Sequence, residues 1–133
     1  MKILPALLIF IITAASPFTS SAEWTRVTKN IKGDTLYVDL GKIRKHNGYV
    51  YWWYLVDYLK PIKHGVWSLK AYVHGDCKKL RYKIYSDFPY KKPMGKGTAS
   101  SSTNKPDKDW RNSPANSSTE KILTIVCNHK NNK

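Results

Sequence analysis

The chain has 133 residues, with 23 Lys and Arg against 9 Asp and Glu, for a formal net charge of +14 at neutral pH. That length leaves room for one domain with one modest core and excludes a multi-domain build. The charge predicts attraction to polyanions, namely acidic glycans, anionic lipid head groups, acidic proteins or nucleic acid, weakening as salt rises.

The N-terminus reads as an export signal. "MKILPALLIFIITAASPFTSSAEW" places one lysine before an apolar run from Ile3 to Ala15, followed by small and polar residues. Ser20 and Ala22 stand at the two positions where signal peptidase needs small side chains, so residues 1–22 are expected to be removed after Ala22. The run of about 13 residues is too short for a bilayer span, which needs about 20. No stable membrane span is therefore expected after cleavage. Loss of Lys2, the one charge in this segment, takes the net charge from +14 to +13. No cysteine stands beside the cleavage point to take a lipid, which favours a periplasmic or secreted protein.

Residues 23–133 form the expected domain. "EWTRVTKN" and "DTLYVDL" (34–40) are rich in β-branched and aromatic residues and predict two strands around a Gly33-Asp34 turn. "GKIRKHNG" reads as a polar connection ending in a tight turn at His46-Asn47-Gly48. In "YVYWWYLVDYL" (49–59), Val50, Trp52, Tyr54 and Val56 share one face, while Tyr49, Tyr51, Trp53 and Leu55 share the other. Both faces are apolar or aromatic, as in a central strand covered on both sides. "VWSLKAYVHGDC" returns with Trp67, Leu69, Ala71 and Val73 in phase. "CKKLRYKIY" then alternates, setting Leu80, Tyr82 and Ile84 against Lys79, Arg81, Lys83 and Tyr85.

From Ser86 the alternation stops, and "DFPYKKPMGKGTASSSTNKPDKDWRNSP" reads as a long basic loop, from which Trp110 is expected to return to the core. Ser117 and Glu120 then form a capping box, and Thr119, Ile122, Leu123, Val126 and Cys127 share one side of a helix running to about Asn128. Asn116 in "NSS" matches a glycosylation acceptor but reads as helix-cap chemistry. So short a helix needs a surface to lie on. Cys77 and Cys127 are the two cysteines, and an exported chain with two favours one disulfide. Metal binding is the rival reading, and the wide spacing counts against it. A disulfide would staple the helix to the sheet.

"EWTRV", "TLYVDLGKI", the aromatic strand, "WSLKAYVHGDCKKLRYKIYSDF", the "GKG" pair and "ILTIVCNHK" together resemble the surface-adhesin protein E family of exported bacterial proteins, over nearly all of residues 23–133. The resemblance implies a small antiparallel sheet with its C-terminal helix fastened to one face by Cys77–Cys127. It also implies adhesion, since the family's founding adhesin binds host extracellular-matrix and serum proteins and pairs as a dimer. The fold class expected is α+β: a single antiparallel sheet of about five to six strands, with the helix packed on one face.

Catalysis finds little support. Asp39 and Asp76, at strand ends, are expected to bond backbone amides, and Asp107 and Asp109 read as solvated turn residues. His46, His64, His74 and His129 are dispersed, and His74 reads as a hydrogen-bonded histidine before a metal or haem ligand. No nucleophile elbow, phosphate loop or zinc spacing occurs, and no cofactor is expected. The favoured site is a basic sheet face of Lys70, Tyr72, Lys79, Arg81, Lys83 and Tyr85, extended by Lys91, Lys92, Lys96, Lys105 and Lys108. Its expected partner is an acidic protein or glycan surface. Export disfavours nucleic acid. The alternative is a structural envelope protein acting through self-association, for example as a homodimer.

Overall fold

The computed structural model describes residues 22–130. The expected signal peptide lies outside these residues, apart from Ala22. Trp24–Lys29 (β1) and Thr35–Asp39 (β2) form the first hairpin. Its turn is built by the Asn30 side chain, which accepts from the Lys32 and Asp34 amides. Arg44–His46 (β3), placed by sequence in a polar connection, is a short strand paired with Tyr49–Ile62 (β4). The intervening Asn47 and Gly48 both have positive φ, 51° and 81°, which suits a two-residue hairpin turn. Val66–Asp76 (β5) and Arg81–Tyr90 (β6) follow, then the two-residue Arg111–Asn112 (β7). The sheet is antiparallel throughout, in the order β1-β2-β4-β5-β6-β7, with β3 beside β2 on the same edge of β4.

Ser118–Asn128 (α1) closes the chain. Ser117 Oγ accepts from the Glu120 amide at 3.2 Å, and the Glu120 carboxylate accepts from the Asn116 amide at 3.3 Å. The capping box thus forms with its returning arm one residue earlier than the usual pattern. Ile122, Leu123 and Val126 are buried against Leu36, Val38, Val50, Trp52, Ala71 and Val73. Gly75 lies in this layer, and a Cβ there would stand 2.7 Å from Trp52 and 2.9 Å from Leu123. A bare backbone at that point lets the helix approach the sheet.

Cys77 and Cys127 are bonded, with Cα atoms 5.8 Å apart and a sequence separation of 50. The helix C-terminus is held a second time where Lys45 Nζ donates to the Cys127 carbonyl at 2.8 Å. A cation there also complements the helix dipole.

Beyond β3, three further expectations about the fold needed correction. Lys79 and Leu80 are not on a strand: the Asp76 carboxylate accepts from the Lys78 and Lys79 amides, which bends 77–80 into a turn, and Leu80 has φ +49°. The following strand does not stop at Tyr85 either. Tyr72 pairs with Ser86 but Val73 with Ile84, so a bulge at Tyr85 breaks the alternation and the strand continues to Tyr90. Finally, Trp110 does not enter the core beneath the helix but lies on the opposite face.

The disulfide yields the first prediction. Replacing both cysteines by serine should lower the unfolding free energy by about 2–4 kcal/mol in a urea titration, as closing a loop of this length in the unfolded chain implies. An unchanged midpoint would contradict the clamp.

Candidate functional site

The face turned away from α1 carries the side chains that strand alternation directs there: Tyr49, Tyr51, Trp53 and Leu55 of β4, Lys70, Tyr72 and His74 of β5, and Lys83, Phe88 and Tyr90 of β6. The expectation that β4 is covered on both sides holds for Leu55, which is fully buried. Its cover is the loop turn Pro93–Gly95. That turn is pinned by the Met94 amide donating to Asp57 and the Gly95 amide donating to Ser68 Oγ, both at 2.8 Å, while Ser68 Oγ donates to the Lys92 carbonyl at 2.6 Å.

Aromatic rings occupy the middle of this face. Tyr51 and His74 stack with centroids 4.6 Å apart and planes 4° from parallel. Trp53 meets Tyr72 at 5.1 Å, and Tyr85 lies 5.3 Å from His74 with its hydroxyl 3.1 Å from Nδ1. Burial, with the crowding of neighbouring phenols, raises the hydroxyls of Tyr51 and Tyr72 above their ordinary pKa. They stay neutral donors.

Trp110 caps one end of this band, 5.0 Å from His74 and stacked on Tyr49 at 6.0 Å. The Arg81 guanidinium and the Lys83 ammonium lie 4.7 and 5.0 Å from its ring. Such contacts are worth about 0.5–1 kcal/mol each at exposed sites. Asp107, read from sequence as a solvated turn residue, instead ties this loop down: its carboxylate accepts from the Ile84 amide at 2.9 Å and from Arg111 at 2.7 Å. The Arg111 bond leads in holding its carboxyl below the ordinary value.

The predicted basic residues therefore divide. Arg81 and Lys83 cluster under Trp110, although Arg81 Nε also donates to Asp76 at 3.0 Å. Burial would raise the Asp76 carboxyl, but that bond and the two turn amides hold it below its ordinary value. Tyr72 and Tyr85 lie in the aromatic band. Lys79 is exposed in the turn, and Lys91, Lys92, Lys96, Lys105 and Lys108 are exposed on the loop. Lys70 stands apart, its ammonium 4.8 Å over Tyr90 and 5.9 Å over Trp24. The expectation for Asp76 as an amide acceptor holds. Asp39 departs from it: its Oδ2 is buried with no hydrogen-bond partner, and the Lys42 ammonium is 3.8 Å away.

Sequence reading missed Trp24, Phe88, Tyr90 and Trp110 on this face. The alternating β1 sequence was the one signal that pointed to Trp24; the others needed the bulge and the loop path.

A single antiparallel sheet, with its C-terminal helix fastened to one face by a disulfide and aromatic and cationic groups on the other, defines an α+β class of disulfide-clamped single-sheet domains. The chain belongs to the surface-adhesin protein E family, whose sequence model matches residues 24–128. Its fold is similar to crystal form II of Haemophilus influenzae protein E, with a TM-score of 0.61 at 18% identity over 84% of this chain and 91% of that one. A second structure of Haemophilus influenzae protein E gives 0.60 at 19%, covering 85% and 89%. No curated protein matches the chain.

Burial, and next the Lys83 charge, depress the His74 pKa, with the Asp76 charge opposing them. A folded-state pKa below the unfolded one means that the unfolded chain binds the proton first as pH falls. Stability should therefore decline as pH drops below about 6.5 and level off once folded His74 is protonated. Thermal melts of the wild type and His74→Gln between pH 7.5 and 5 should show that slope in the first and a flatter one in the second. Equal slopes would remove His74 as its source.

Proposed function

We propose that this is an exported, non-enzymatic binding module that captures acidic protein or glycan surfaces through the face opposite α1. Family membership supports an adhesin-like surface protein. The observation that carries the finer reading is the placing of Arg81 and Lys83 under Trp110 beside a band of tyrosines, with Lys70 at the far end. Cations held against rings keep a fixed position while their charge still reaches outward, and the phenols add hydrogen bonds and contact area. Binding is electrostatic in approach and salt-sensitive.

Hydrolysis at His74 has less behind it. Its neighbours are rings, and Asp76, the carboxylate whose charge reaches the imidazole, is occupied by Arg81 and the 77–80 turn. Among the described residues, no group of three or more metal-ligating side chains occurs, and no helix is long and apolar enough to cross a membrane.

Retention on a heparin column tests the leading reading. The exported chain should elute well above physiological salt, and Lys79→Ser with Lys83→Ser should shift elution to markedly lower salt without loss of folding. Passage through the column at low salt would oppose the reading. Arg81 is left intact because its bond to Asp76 also closes the turn.

One observation favours the second reading, self-association. Ile31, Leu59 and Ile62 are exposed at one end of the sheet, at 104%, 63% and 47%. Gly33 and Asp34 bring the Ile31 turn against Leu59, whose amide donates to Asp34 at 3.0 Å. Apolar surface gathered at one end suits contact with a second copy. In sedimentation equilibrium, a dimer that Leu59→Ser with Ile62→Ser converts to monomer would establish this reading; a wild-type monomer would dismiss it.

A further inference from the structure

Beside the aromatic band, on the same face, lies a cavity of about 280 Å³. Its apolar walls are Trp24, Trp53, Phe88 and Tyr90, drawn from three strands. Trp53 and Phe88 form an open aromatic corner, with centroids 5.8 Å apart and planes inclined at 36°. Ala22 lines the cavity too, and every other lining residue follows the expected cleavage point.

Two charged groups in it are unusual. The Asp39 side chain is only 4% exposed, yet its Oδ2 has no hydrogen-bond partner. Its one counter-charge is the Lys42 ammonium 3.8 Å away, and a carboxylate so sparsely partnered in a cavity wall invites a further donor from outside. Lys70 has the opposite need. Among the described residues it joins no ion pair, and its ammonium rests between the rings of Tyr90 and Trp24. Its position is fixed from behind: Gly95, at φ +63°, lies so close that a Cβ there would stand 2.5 Å from Lys70 Cε. The loop turn that covers Leu55 thus also presses the Lys70 stem towards the rings. Lys42, paired with Asp39, adds a second ammonium to the rim.

From this geometry we infer that the cavity is a binding site for one acidic sugar residue, a pyranose bearing a carboxylate. The aromatic corner receives the apolar C–H face of the ring, Lys70 receives the carboxylate with Lys42 beside it, and the Asp39 carboxylate accepts from a ring hydroxyl. A phosphate-rich ligand fits less well, because it brings more negative charge towards Asp39 and no apolar C–H face to the aromatic corner. A neutral sugar leaves Lys70 uncompensated. The volume, at the small end for ligand pockets, suits a single ring. This inference rests on the proposed binding role but occupies a different part of the face from Arg81, Lys83 and Trp110.

The test follows Trp fluorescence of the exported chain during titration with sodium glucuronate, glucose, sodium acetate and glycine, with calorimetry as a second readout. Glucuronate should saturate in the millimolar range, and each of the other three should bind at least tenfold more weakly. Lys70→Met, which keeps the stem packed against Gly95, should weaken glucuronate at least tenfold, and the isosteric Asp39→Asn several-fold. Lys79→Ser with Lys83→Ser should leave the titration unchanged, so loss of heparin retention and loss of this site are read separately. A hyaluronan tetrasaccharide binding at least as tightly as glucuronate would mark a glycan chain as the source, and binding of the free acid alone a free sugar acid. Either result supports the site. Equal binding of glucose or acetate, tighter binding of glycine, or full retention of glucuronate by Lys70→Met would overturn it.

Discussion

The bond between Cys77 and Cys127 commits α1 to one face of the sheet, and the remaining architecture follows from that choice. The strand β4 is apolar or aromatic on both sides, so a helix confined to one of them leaves rings without a helical cover on the other. The structure meets this shortfall with loop rather than with a second helix. Gly95 and Met94 close over Leu55, and Trp110 is laid across Tyr49 and His74. Cover made from short loop contacts shields backbone and ring edges only in part. The face therefore stays accessible while remaining ordered.

The large positive charge is distributed in keeping with this. The three ion pairs among the described residues join Lys42 to Asp39, Arg81 to Asp76 and Arg111 to Asp107, and two of them fasten turns or loops. Acids are scarce enough that they serve structure first, and most lysines have no carboxylate to answer them. On the open face, rings take over the role of partner for Lys70 and Lys83 and add to the carboxylate of Asp76 for Arg81. A ring quadrupole steadies a cation without neutralising it, so the outward field survives.

Much of the fold was legible because its signals are local. A capping box before a 3.6-residue apolar period and the period-two alternation of β2, β4 and β5 depend on a few neighbouring residues and formed, while the disulfide was legible because two cysteines leave one pairing. What escaped was non-local or rested on a single residue. One extra residue at Tyr85 restored Phe88 and Tyr90 to the strand, although the sequence after it looks like loop. The turn at 77–80 displaced Lys79 because the Asp76 carboxylate outcompeted an alternation that continued unbroken in the letters. Trp110 carries no mark of the face it will cover. The cavity draws on β1, β2, β4, β5 and β6, and Asp39 lacks the two turn amides and the guanidinium that Asp76 binds, which no local pattern records.

The long segment after β6 is riveted to that strand at four places: the Ser100 amide donates to the Pro89 carbonyl, Thr103 bridges Asp87, the Asp107 amide donates to the Ile84 carbonyl while its carboxylate takes the Ile84 amide, and Arg111 pairs with Tyr82. Between the rivets, residues such as Ser101 and Lys105 are exposed. Insertions or exchanges there would reshape the rim while the hydrophobic interior stayed undisturbed. Descendants of such a scaffold are thus able to diversify what they grip far faster than how they fold.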